Sequence, residues 1–332
     1  MFKKILLVFI IVLLIIAIIT AIFVYNKMNK INYVPLDMDK IEITESVKEE
    51  LKSYRNILIF GLDDRTDSYD DRTDCIMIAS LNEQTNEVKL VSVYRDTYLN
   101  IEGYGLDKVN HAHLFGGTEL SISTLNLNLD LNITDFVAIN FFAMQNVVDY
   151  VGGVDIDITA DELKYINGYI NAINSYESTA YYASNITSTG LQTLNGIQSL
   201  AYSRIRYTEG WDWKRTERMR TVLLKVFEKT KNMGVAELNT FIDYMLPQVQ
   251  TNITSTEILS VLPKINTYKV VKQLGWPYEV QAYEVYGPWY GVAVNLESNV
   301  SRLHKELFDK DDYVPSDYVK NIGKIITEKT GI

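Results

Sequence analysis

The stretch NILIFGL (56–62), with IMIASLN (76–82) and VKLVSVY (88–94) after it, decides how this chain folds. Each run is dense in Ile, Val and Leu, too short for a typical helix and bounded by polar turn residues, the pattern of a buried strand. NEQTNE (82–87) between the last two predicts a hairpin-like turn. Further on, TELSISTLNLNL (118–129) predicts a helix and DFVAINF (135–141) a strand. AMQNVVDYVGG (143–153) predicts a helix stopped at Gly152-Gly153, where a left-handed cap costs least. VDIDI (154–158) alternates as a strand. LQTLNGIQSLAYSRIR (191–206) predicts a helix running into an extended end, and WKRTERMRTVLLKVFEKTKNMG (213–234) a long helix with one apolar stripe. VAELNTFIDYMLPQV (235–249) and STEILSVLPKI (255–265) add two more helices. Strands and helices interleave throughout, which predicts an α/β fold of αβα layering: a central mixed sheet covered by helices.

The 332 residues are 47% hydrophobic and 22% charged, a composition able to bury a sizeable core. A net charge of −10 opposes any role in wrapping nucleic acid, so a polyanion site must be a local cluster of cations. The single cysteine, Cys75, excludes an intramolecular disulfide and, at the start of a buried strand, reads as inert. Ahead of the strands, ILLVFIIVLLIIAIITAIFV (5–24) carries no charge and only Thr20 is polar. Twenty helical residues span about 30 Å, the hydrocarbon thickness of a bilayer. The run is longer than a signal-peptide core and shows no small-residue cleavage site, so a retained N-terminal transmembrane helix is expected. The expected organisation is a short tail (1–4), that helix (5–24), a juxtamembrane stalk (25–50), one folded domain (51–312) and a polar C-terminal tail able to hold a helix (313–332).

Three segments hold the groups that could carry chemistry. DDRTDSYDDRTD (63–74) links the first two strands, and strand-end loops are where a rigid scaffold presents functional groups. Asp63 and Asp74, brought together by the returning chain, would suit Mg²⁺; the loop reads equally well as a solvated charged turn. Tyr94-Arg95-Asp96-Thr97 ends the third strand, and its Arg-Asp pair is either a surface ion pair or a phosphate-reading arginine with its orienting neighbour. SRIRYTEGWDWKRTERMR (203–220) is the strongest signal. It sets six cations (Arg204, Arg206, Lys214, Arg215, Arg218 and Arg220) against Glu209, Asp212 and Glu217. If 203–207 is extended, Arg204 and Arg206 share a side. Asp212, Arg215 and Met219 share a helix face. Arginine's planar fork suits bidentate phosphate recognition, so an anion site is preferred over a solvated helix face. His111 and His113 lack the partners of a zinc site and read as structural.

GLDDR (61–65), RTDCIMIASLN (72–82), VSVYRDT (91–97), KVNHAHLFGG (108–117), VDYVGGVDIDI (148–158), LNGIQSLAYSRIR (194–206) and DWKRTERM (212–219) resemble, in order and spacing, the LytR-CpsA-Psr phosphotransferases of bacterial cell walls. The resemblance implies a single-pass protein of the bacterial cell membrane with its catalytic domain outside the cytoplasm and residues 1–4 inside. It implies transfer of a glycopolymer, such as teichoic acid or capsular polysaccharide, from an undecaprenyl-diphosphate carrier to a peptidoglycan hydroxyl. The polyprenyl chain would lie in an apolar interior beside the sheet. By motif, Asp63 and Asp74 match the carboxylates around Mg²⁺. Arg72, Arg95, Arg204, Arg206 and Arg215 match arginines that bind the diphosphate and head group, with Arg218 beside them in the same run. Lys108 and Asn110 match a KxN element, and Arg95, Asp96 and Asp212 are the catalytic candidates. Met219 stands where the family commonly has Gln, and Cys75 where it has Thr. A carrier-diphosphate hydrolase and a non-catalytic module holding lipid-linked polymer are the alternatives.

Overall fold

Leu58, Phe60 and Leu62 bury themselves on one side of their strand, while Ile57 and Ile59 line a cavity on the other. A strand sends alternate side chains to opposite faces, so this one segment already requires a layer above and a layer below. The computed structural model describes residues 30–62, 73–176, 182–284 and 287–332. The apolar stretch 5–24 and the loop residues Asp63 and Arg72 lie outside the described residues. Among the described residues no helix is long and apolar enough to cross a membrane.

The chain opens with β1 (Asn32–Tyr33), α1 (Glu45–Glu50), β2 (Tyr54–Leu62), β3 (Thr73–Asn82), β4 (Glu87–Val93), β5 (Tyr98–Ile101) and β6 (Gly105–Lys108). Then come α2 (His111–Leu129), β7 (Asp135–Asn140), α3 (Phe141–Tyr150), β8 (Val154–Ile158), α4 (Ala160–Tyr176), β9 (Gly190–Leu194) and α5 (Gly196–Arg204). The remainder is α6 (Trp211–Lys231), α7 (Val235–Met245), β10 (Val249–Thr251), α8 (Ser255–Val261), β11 (Lys269–Trp276), β12 (Val280–Glu284), β13 (Trp289–Ala293), α9 (Leu296–Phe308) and α10 (Asp317–Thr330). Seven strands make one mixed sheet in the order β1-β10-β7-β2-β3-β4-β11. Its β2-β3-β4 centre is antiparallel, and β7 and β11 join it parallel.

One face packs Phe60, Ile76, Ile78 and Val91 against α2 (Ile122, Leu125), α9 (Val300, Leu303) and α10 (Val319, Ile322, Ile326). The other face turns Cys75, Met77 and Leu90 toward Met219 and Leu223 of α6. Behind α6 a second core joins α3, α4, α5 and α7 through Val147, Ile170, Leu200, Val222 and Phe241. The layering is αβα, and α6 serves two cores at once.

Local sequence explains the departures. LQTL (191–194) is not helical: it lies in β9, antiparallel to VDIDI of β8. Asn195 then starts α5 with a reciprocal capping box to Gln198. KVVKQLGW forms β11, the edge strand of the sheet, whose exposed alternate positions Lys269, Val271 and Gln273 mix polar and apolar residues and so leave no clean strand pattern. The residues beyond 312 include α10, whose stripe Val319, Ile322, Ile326 falls at i, i+3 and i+7 and joins the sheet's core, with Ser316 as its cap.

Beneath α9, His304 stacks on Tyr313 with ring centroids 3.5 Å apart, and its Nε2–H donates to the Leu129 carbonyl at 3.1 Å. Burial pushes its pKa down from 6.5 to about 4. Between these values the unfolded chain binds a proton that the folded protein refuses. Its contribution, about 3 kcal/mol, is therefore complete above pH 6.5 and lost as pH falls toward 4. Urea melts across this window should show a steeper loss of stability in the wild type than in His304→Gln. Equal slopes would disprove the assignment.

Candidate active site

The hairpin register places the first two groups. Asn82 pairs with Glu87 and Ile76 with Val93, so continuing the antiparallel ladder by two residues sets Asp74 opposite Arg95. Arg95 Nη1 donates to Asp74 Oδ1. Arg215, in the second turn of α6, donates from Nη1 to Asp74 Oδ2 at 2.9 Å and from Nη2 to the Asp74 carbonyl at 3.2 Å. Arg206, just past α5, brings Nη2 to 3.5 Å from Oδ2. One carboxylate thus gathers guanidiniums from three separate segments. Burial alone would raise the Asp74 pKa, but Arg215, Arg95 and Arg206 together outweigh it and hold the carboxyl below its ordinary range.

Arg95 continues the network outward. Its Nε lies 3.4 Å from Asp96 Oδ2, and Lys108 Nζ donates to Asp96 Oδ1 at 2.6 Å. Backbone bonds fix this corner: Val109 N to Thr97 O at 2.8 Å, Asn110 N to Arg95 O at 3.2 Å and Gly291 N to Asp96 O at 2.9 Å. Asn110 is buried and its Oδ1 has no partner among the described residues. In this network four cations face two carboxylates, so the cluster is net positive in an acidic protein.

The basic run divides into different jobs. Arg204 ends α5 instead of lying in an extended segment, so its guanidinium sits over the Phe141 ring at 5.1 Å while Arg206 turns to Asp74. Arg218 is buried and donates to Glu162 Oε1 at 2.8 Å, the Ile205 carbonyl at 3.0 Å and Thr208 Oγ1 at 2.6 Å. Arg220 donates to Ser92 Oγ and the Leu274 carbonyl, both at 2.7 Å. These last two tie α6 to its neighbours. Asp212 lies in the first turn of α6, and its side chain is outside those described. Cys75 is buried, and that burial pushes its thiol up to about 11, so it offers no thiolate. Nδ1 of His111 pairs with Asp107 at 2.9 Å, and His113 meets Phe60 edge to face.

An apolar layer lies behind the cluster. On β3, Cys75, Met77, Ala79 and Leu81 follow Asp74 along one face; on α6, Met219, Leu223 and Phe227 follow Arg215 at intervals of four. Cys75, Met77 and Met219 pack together as a buried core, and beyond them Ala79 and Leu81 face Leu223 and Phe227 across a cavity of about 420 Å³, lined also by Leu90, Ile258 and Val270. Its far end carries Arg55 and Glu257, paired at 3.0 Å, with Asp135 on Arg55 Nε at 2.6 Å. The register from Cys75 to Leu81 gives the layer about 20 Å along the strand.

Among the described residues no group of three His, Cys, Asp or Glu side chains is placed to hold a metal ion. The site thus sets a net positive cluster and an apolar cavity along the same two elements, β3 and α6. The LytR_cpsA_psr family model matches residues 18–305, and the chain belongs to this family. It is 28% identical over 232 residues to the polyisoprenyl-teichoic acid–peptidoglycan teichoic acid transferase TagT of Bacillus subtilis (strain 168), covering 68% of this chain and 69% of that one. It is 30% identical over 274 residues to the transferase of the same description, TagU, of Bacillus mycoides (strain KBAB4), covering 78% and 82%. The solved structure of TagT bound to LI-WTA superposes with a TM-score of 0.62 at 25% identity, covering 79% of this chain and 92% of that one.

Asp74→Asn takes from the buried Arg215 the countercharge that Asp74 gives it, which should cost about 3 kcal/mol. Added inorganic pyrophosphate should recover part of the lost melting temperature. A variant that melts like the wild type would show that Asp74 does not hold the cluster together.

Proposed function

We propose that this protein is a phosphotransferase that moves a glycopolymer of the teichoic acid class from a polyprenyl-diphosphate carrier to a peptidoglycan hydroxyl. The observation that carries the reading is that one contact, β3 with α6, holds a net positive cluster at Asp74 and encloses an apolar cavity further along the same two elements. The named activity of the TagT and TagU relatives supports it. An anchor at 5–24 would hold the domain at the outer face of the cell membrane, where such carriers present their head groups.

In this reaction the acceptor oxygen bonds to the phosphorus that carries the glycopolymer, and the bridging P–O bond of the diphosphate breaks. Polyprenyl monophosphate leaves, and the hydroxyl proton passes to a base. Arg95, Arg206 and Arg215 bind the diphosphate and stabilise charge on the leaving phosphate, with Arg72 and Arg204 as further head-group contacts. Asp96 orients Arg95 or takes the proton, with Lys108 steadying its carboxylate and Asn110 beside it. Asp212 is the second acidic candidate.

Mg²⁺ belongs to this proposal. An ionised carboxylate is the oxygen donor that the ion takes together with water and phosphate oxygens. Asp74 is such a group at the cluster's centre, and Asp63 would be its companion. Bound there, the ion would neutralise part of the diphosphate charge.

Full-length protein incubated with a synthetic polyprenyl-diphosphate glycan, Mg²⁺ and a peptidoglycan oligomer should yield oligomer carrying sugar phosphate. Free sugar phosphate alone would mark a hydrolase, and binding without product a carrier module. Arg95→Ala should lower the transfer rate by about 100-fold or more. Ala79→Phe, which fills the cavity from the sheet side, should weaken donor binding at least about tenfold while leaving the fold intact. Undiminished donor affinity in that variant would show that the chain binds elsewhere.

A further inference from the structure

Of the three arginines on Asp74, Arg206 is the one most open to solvent, with 43% of its side chain exposed against 22% for Arg95 and 1% for Arg215. It is also the only one of the three outside regular structure or its immediate turn: its backbone lies in the link 205–210, after α5 ends at Arg204 and before α6 begins at Trp211. An exposed cation on an irregular link keeps its aim only if something fixes the link.

Arg218 of α6 does so. Its Nη1 donates to the Ile205 carbonyl at 3.0 Å and its Nη2 to Thr208 Oγ1 at 2.6 Å, so one guanidinium holds the chain on both sides of Arg206. Its Nε donates to Glu162 Oε1 at 2.8 Å. Glu162 is fixed in turn, because Oε2 accepts from the Thr159 N–H at 3.0 Å and the Thr159 hydroxyl at 2.8 Å in the first turn of α4. The Tyr202 ring, from the end of α5, lies 5.8 Å from the same guanidinium. Arg218, Glu162, Ile205 and Thr208 are all buried. Only the planar fork of arginine serves a carboxylate, a carbonyl and a hydroxyl at once; an ammonium on a flexible stem does not.

The helix supplies the alignment. Arg215 and Arg218, three residues apart, occupy neighbouring positions on α6. Arg215 meets Asp74 Oδ2 directly at 2.9 Å, while Arg218 grips the link that brings Arg206 to 3.5 Å from the same oxygen. A binding group displaced by about 1 Å loses much of its effect, so the grip on the link bears on ligand affinity.

We infer that Arg218, anchored by Glu162, is a positioning residue for the donor site: it holds the link at Ile205 and Thr208 so that Arg206 faces the Asp74 cluster and meets the diphosphate. This rests on the transferase reading above, in which Arg206 binds that diphosphate.

The test measures the Kd of full-length protein for a polyprenyl-diphosphate glycan. Thr208→Val keeps the side-chain shape and removes the acceptor of the Nη2 bond; it should weaken donor binding about tenfold, and Thr208→Ser should restore most of it. Made in an Arg206→Ala background, Thr208→Val should cause no further loss, since the hydroxyl acts through Arg206. Arg218→Lys, which can reach Glu162 but cannot hold both link groups, should show the same loss and the same dependence on Arg206. Undiminished affinity in Thr208→Val, or an equal further loss when Arg206 is already gone, would overturn the inference and leave the transferase intact. Arg206→Ala with wild-type affinity would remove Arg206 from the diphosphate, and this inference with it. A wild type that binds no donor would remove the transferase reading itself.

Discussion

The Asp74 carboxylate is the constraint on which the rest of the structure depends. A guanidinium as buried as that of Arg215, 1% exposed, is costly to keep from water unless a countercharge meets it. Asp74 supplies that countercharge to Arg215 and shares it with Arg95 and Arg206, so the end of β4, the link after α5 and the start of α6 converge on one point. β3, which carries Asp74, is also tied to α6 by apolar packing one step further in, where Cys75 meets Met219. The ion cluster and the cavity are therefore successive layers of one contact between β3 and α6.

Much of this was legible in the sequence, and the gaps have physical causes. The central strands could be read because both their faces are buried, leaving Ile, Val and Leu in unbroken runs. Counting back from the NEQTNE turn would also have set Asp74 against Arg95, a pairing that motif reading alone did not supply. β9 was missed because LQTL runs straight into a true helix, and a strand that exists only by pairing with β8 leaves a weak local signal. β11 mixes polar and apolar residues along an exposed edge, and α10 hides a three-residue apolar stripe in a polar segment. The Arg204–Arg206 alternation failed as geometry because α5 persists through Arg204, which sends the two side chains to different partners.

The basic run shows why a cluster of like residues need not share a purpose. Arg218 and Arg220 each donate to neutral oxygens as well as, for Arg218, a carboxylate, and these partners lie outside the Asp74 cluster. Arg206 keeps 43% of its side chain exposed and meets its acid at the long distance of 3.5 Å. The position of the partners separates cations that tie α6 to its neighbours from cations gathered at Asp74, and that position is not written in residue type.

The four-residue beat of Arg215, Met219, Leu223 and Phe227 has a mechanical meaning. Twelve helical residues separate the first from the last, about 18 Å on a rod that does not stretch. The cationic end and the oily end of α6 thus form the fixed jaws of a calliper. A molecule gripped by both must leave its anionic head as a straight, narrow tail of matching reach; a bulky branch near the head would hold the jaws apart, and a tail that turned early would touch only one.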